Sequence, residues 1–185
     1  MFRPLIAALS LAAPGAAALA QGDSEGSWGV AAMPNGCMVE AISPQGTMLS
    51  IWGFAGAPRL AFLLQNKQWG ALRDGQNYKL KLEFAGMQSW PVDATARRDI
   101  DSDGPGFLFT VQPGGQGATK FLNAFTSAKG MRISRDGRSV DTLPLDGSRG
   151  AMAALAKCLA ERWSAPAPQG GEPENPAPPA PATSV

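Results

Sequence analysis

The residues best spaced for chemistry form the run Asp99-Ile100-Asp101-Ser102-Asp103-Gly104. This D-x-D-x-D-G spacing sets Asp99, Asp101 and Asp103 around one small loop, and the Gly permits the sharp turn that a Ca²⁺ loop needs. A complete EF-hand loop adds a bidentate Glu at its twelfth position. That position, counted from Asp99, is Thr110, so the run is half a site and implies weak Ca²⁺ binding. Its competing reading is an acidic turn between strands, with Arg97 and Arg98 balancing the charge. The stretch Gly114-Gly115-Gln116-Gly117-Ala118-Thr119-Lys120 is not a phosphate loop, because Lys must follow Gly directly and Ser or Thr must come next. It reads as a glycine-rich approach to a helix.

The composition removes other chemistries. The chain has 185 residues and no His, which excludes Ser-His-Asp and Cys-His catalysis and His-ligated zinc. A carboxylate-based hydrolase stays open as an alternative, although no spacing pairs Glu40 or Glu83 with a second acid. Sixteen basic residues against fifteen acidic ones argue against nucleic-acid binding, which calls for a basic patch. Five Trp are spread along the chain, where core packing competes with a ligand groove. Trp69 is the candidate ligand-binding residue, because its neighbours Asn66, Lys67 and Gln68 are polar.

Both ends read as non-globular. Arg3, the apolar run Leu5 to Leu11 and the small-x-small triplet Ala18-Leu19-Ala20 predict a signal peptide over residues 1–20. No other stretch is apolar enough to span a bilayer as a helix. Loss of Arg3 with that segment leaves fifteen basic residues against fifteen acidic. Residues 164–185 read SAPAPQGGEPENPAPPAPATSV, with seven Pro, and predict a disordered Pro/Ala-rich tail. A single globular domain over residues 21–163 remains. Export, periplasmic or beyond, places Cys37 and Cys158 in an oxidising compartment, so the two are expected to form a disulfide.

Most of that domain alternates with period two. Tyr78, Leu80, Leu82 and Phe84 oppose Lys79, Lys81 and Glu83, the pattern of an antiparallel strand with one wet face. Cys37, Val39 and Ala41 share one face of another strand; Leu49 and Ile51 oppose Trp52 and Phe54; Leu60 to Leu64 is apolar on both faces. Trp69 and Leu72 have the spacing of one helical turn. Asp136-Gly137 between two runs marks a hairpin. Helices are expected over Ala118–Lys129, capped by Gly130, and from Ser148, as N-cap, to about Arg162. Met152, Leu155, Leu159 and Trp163 form the expected buried stripe of the second. The expected class is α+β: an antiparallel, curved β-sheet with two α-helices packed on it and one disulfide.

The stretch from Phe121 to Cys158, a short helix followed by GMRISRDGRSVDTLPLDGSRGAMAALAKC, resembles the C-terminal part of small exported proteobacterial proteins of the invasion-associated locus B type. The paired cysteines found earlier in that pattern have no match, since Cys37 stands alone in its region. The resemblance implies an exported envelope protein and carries over no functional residue. The expected function is therefore non-enzymatic binding of a protein or cell-envelope component. The alternative is a periplasmic domain that binds a small ligand or Ca²⁺.

Overall fold

A computed structural model describes residues 28–98, 100 and 103–164. The signal peptide and residues 165–185 of the tail expected at the two ends lie outside the described residues, as do Asp99 and Asp101, while residue 164, expected in the tail, still belongs to the last helix. The described residues form nine strands and two helices: β1 (Gly29–Met33), β2 (Gly36–Ile42), β3 (Met48–Phe54), β4 (Leu60–Gln65), β5 (Asn77–Phe84), β6 (Ser89–Arg97), β7 (Gly106–Val111), α1 (Gln116–Ser127), β8 (Gly130–Arg135), β9 (Arg138–Pro144) and α2 (Ser148–Ser164). All nine strands join one antiparallel sheet in the order β1-β2-β3-β4-β7-β6-β5-β8-β9. The α+β class, the two helices and the Cys37–Cys158 disulfide, with Cα atoms 6.2 Å apart, match the reading of the sequence.

The sheet curls strongly. β2 and β9 are seven places apart in strand order, about 34 Å in a flat sheet. Yet Ser43, just past β2, donates its hydroxyl to Asp141 Oδ2 of β9 over 3.0 Å. Trp28 bridges the same gap, its indole N–H donating to the Asp146 carbonyl at 2.9 Å. The ends thus meet through side chains, without strand pairing between β1 and β9. Register fixes which face turns inward. Val39, Ile51, Phe62 and Phe109 lie opposite one another in one row, and Ala41, Leu49, Leu64, Phe107 and Ala96 in the next; all are buried.

The concave face is filled by α1. Phe121 and Phe125, one turn apart, meet Phe62 edge-on with centroids at 5.6 and 5.8 Å, and Phe62 stacks on Phe109 at 5.1 Å. Two capping expectations need correction. Gly130 does not cap α1: Ala128, in extended conformation, closes the helix by donating to Ala124 O, and Gly130 already starts β8. Ser148 does not cap α2: it is buried inside the helix, and its hydroxyl donates to Phe125 O of α1. Its role is to bind the two helices together.

α2 lies against β1, β2 and β3. Cys158 bonds to Cys37, and Leu159 sits over Gly53, where an added Cβ would lie 2.5 Å from Leu159 Cδ1. Ala151 and Leu155 are buried in this contact, but Trp163 is 60% exposed, so the buried stripe ends a turn earlier than its spacing predicted. The Trp69–Leu72 segment is a tight turn, not helix: Leu72 N–H donates to Trp69 O. The Asp-Gly signal holds, since Asp136 and Gly137 both take positive φ, 53° and 75°, as a two-residue hairpin turn requires.

Candidate functional site

The carboxylates do not assemble a catalytic pair. Glu40 is on β2 and Glu83 on β5, five places apart in strand order. Glu83 takes Lys81 Nζ at 2.7 Å and Arg132 Nε at 3.5 Å. The Lys81 hydrogen bond, with the charges of Lys81 and Arg132 beside it, lowers its pKa against an opposing desolvation effect. That is the opposite of what a general acid needs. Among the described residues no group of three His, Cys, Asp or Glu side chains could hold a metal ion. Of the aspartate run, Asp103 is described and Asp99 and Asp101 are not. Gly104 takes φ 99°; its carbonyl accepts from Gln65 Nε2, and the Pro105 carbonyl accepts from Asn66 N–H. The backbone here is therefore tied to the end of β4. Gly115 is the N-cap of α1 and supplies no side-chain cap.

The tryptophans divide by role. Trp28 is buried, edge-on to Phe125 at 6.0 Å, and Trp90 meets Phe121 at 5.8 Å. Trp69 is half-buried, its ring 5.2 Å from Phe107 at a 48° tilt. With Gln68, Ala71, Leu72, Phe107, Arg135 and Val140 it lines a cavity of 260 Å³. Trp52 lies on the other side of the sheet from the core, edge-on to Phe54.

That outer side is the most unusual feature of the molecule. Met38, Trp52, Ala61 and Thr110 form one outward row across β2, β3, β4 and β7; Glu40, Ser50, Leu63 and Leu108 form the next. Leu63 is fully buried although it points away from the concave core. Phe54 is 37% exposed and Ile42 59%. Five strands, β1 to β4 and β7, carry one charged residue between them, Glu40. The other four carry nine. The outer face is thus apolar over one half and charged over the other, where Lys79, Lys81, Glu83 and Arg132 cluster. A soluble sheet normally keeps its outward rows polar.

The two edges differ in the same sense. β9 contains Pro144 and turns a charged residue, Asp141, inward, two devices that block strand addition. β1, Gly-Val-Ala-Ala-Met, has neither charge nor Pro and among the described residues pairs with β2 alone. Residue-by-residue reading missed this surface because it sought polar chemistry. The signal was present in β3 and β4, both apolar on two faces although α1 and α2, among the described residues, pack on the concave side. No described helix is long and apolar enough to cross a membrane. Compared with known proteins, the chain matches no family model, no curated protein and no solved structure.

Proposed function

We propose that this chain is an exported, non-enzymatic binding protein of the cell envelope, which holds a protein partner against the outer face of β1–β4 and β7. The observation that carries the reading is the segregated outer face: a half whose one charged strand residue is Glu40, with Phe54 and Ile42 open to solvent, bordered by β1, which among the described residues pairs with β2 alone. An extended apolar segment of the partner fits that arrangement. It pairs its backbone with β1, and its side chains cover Met38, Trp52 and Phe54. The Trp52 indole N–H, buried without an acceptor among the described residues, gains one if a partner carbonyl reaches it. The disulfide agrees with an oxidising compartment, and the resemblance of residues 121–158 to the locus B type supports the envelope setting. The rigid disulfide-closed sheet would present the surface without rearranging.

Site-specific photo-crosslinking tests the reading. A benzophenone side chain at Phe54 is expected to capture the same envelope protein repeatedly, whereas the same group at Lys79, on the charged half, captures none. Equal capture from both positions, or from neither, would reject this surface as the binding site.

A further inference from the structure

The cavity beside Trp69 is separate from the outer face and has a chemistry of its own. Its walls are Trp69, Leu72, Phe107 and Val140, contributed by the β4–β5 loop, β7 and β9. Phe107 and Leu72 are almost fully buried, so the floor is fixed, and the two aromatic rings meet at a 48° tilt. A flat ring laid against Trp69, beside Leu72 and Val140, finds an apolar surface. One lining residue is charged, Arg135, and none is acidic. Its guanidinium is held in place by the Tyr78 ring, 5.3 Å from centroid to Cζ, and by Asp136, whose Oδ2 is 3.6 Å from Nε. Those contacts fix the fork beside an apolar slot, an arrangement suited to a carboxylate attached to a ring.

The geometry points to this cavity as a binding site for small aromatic carboxylates, with Trp69 stacking on the ring and Arg135 holding the acid group. Its volume of about 260 Å³ accommodates a single ring with a short acidic arm. An amine of the same shape is disfavoured, because it would meet the Arg135 charge.

Phenylacetate and its neutral counterpart phenylacetamide, titrated into the full chain and followed by the five tryptophan indole signals in ¹H–¹⁵N NMR, provide the test. Phenylacetate is expected to move the Trp69 signal and to bind about tenfold more tightly than the amide, the size of one charge-assisted hydrogen bond. Arg135→Met should remove that preference and leave amide binding as it was, while Arg135→Lys retains part of it. A Trp69 signal unmoved at millimolar phenylacetate, equal binding of acid and amide by the native chain, or a preference that survives Arg135→Met would each overturn the assignment. Should Arg135→Met fail to fold, the native acid-to-amide ratio and the Arg135→Lys variant decide the matter.

Discussion

At the scale of single residues, the charged half of the outer face and the apolar half predict different experiments. Glu83 sits between Lys81 and Arg132, and the Lys81 hydrogen bond holds its pKa below the ordinary glutamate value. A carboxylate with a lowered folded-state pKa contributes stability that is complete above the unfolded value and fades as pH falls through the folded one. The cluster is solvent-accessible, so its effect on overall stability is small. The titration itself is the clean readout. In carboxyl ¹³C NMR, Glu83 should titrate below the ordinary glutamate value, and Lys81→Met should move its midpoint upward; an unchanged midpoint would refute the assigned cause. On the apolar half, Phe54→Asp should abolish partner capture while moving the melting temperature little, because Phe54 is already 37% exposed and at the end of β3. Loss of the folded state in that variant would mean that Phe54 supports the sheet and is not a contact residue.

Elements bring in the core and the limits of reading it locally. The alternation in β5 and the Asp136-Gly137 hairpin were legible because each is decided within a few residues: side chains alternate across a pleat, and two consecutive positive φ angles demand a turn. α1 was legible from its apolar spacing, although not its end. Gly130 looked like a cap, yet Ala128 closes the helix because the chain must pass directly into β8 beside β5. Ser148 had the type of an N-cap, and tertiary packing of α2 on α1 gave its hydroxyl a different acceptor. Phe125 is the deepest ring of α1, touching Phe62, Phe84 and Trp28. Phe125→Ala should cost about 3–5 kcal/mol in denaturant unfolding. A loss under about 1 kcal/mol would show that the curled sheet can collapse onto the gap. At Gly53 the expected effect is one of approach: Gly53→Ala would push Leu159 away and loosen α2, read as faster hydrogen exchange along that helix.

At the scale of the whole molecule, the described residues form a sheet curled until its ends meet, held by long-range clasps. One is covalent: Cys37 to Cys158 closes a loop of 121 residues, which on chain entropy alone contributes about 4–5 kcal/mol. The double variant Cys37→Ala/Cys158→Ala should lose stability of that order, and an unfolding midpoint equal to that of the native chain would show that helix packing alone positions α2. Another, beside the Trp28–Asp146 hydrogen bond, is the Ser43–Asp141 hydrogen bond across the gap between β2 and β9. Asp141→Ala leaves the buried Ser43 hydroxyl without this acceptor and should raise hydrogen exchange in β9 before the rest of the sheet. Uniform exchange across all nine strands would count against a seam at that position.

The amino-acid sequence by itself determined the strands, the hairpins, the two helices and the cysteine pairing, because pleat alternation, turn chemistry and helical spacing act over a few residues. It also excluded histidine-based chemistry outright. Only the tertiary structure decided the rest. Strand order set β4 beside β7, and so joined the outward faces of β2, β3, β4 and β7 into one apolar surface. It also brought Trp69, Phe107 and Arg135, 66 positions apart along the chain, to one cavity. β3 and β4 looked apolar on both sides, which is equally the mark of a buried central strand; which side is covered depends on where α1 and α2 pack, and that is settled by contacts between residues far apart in sequence.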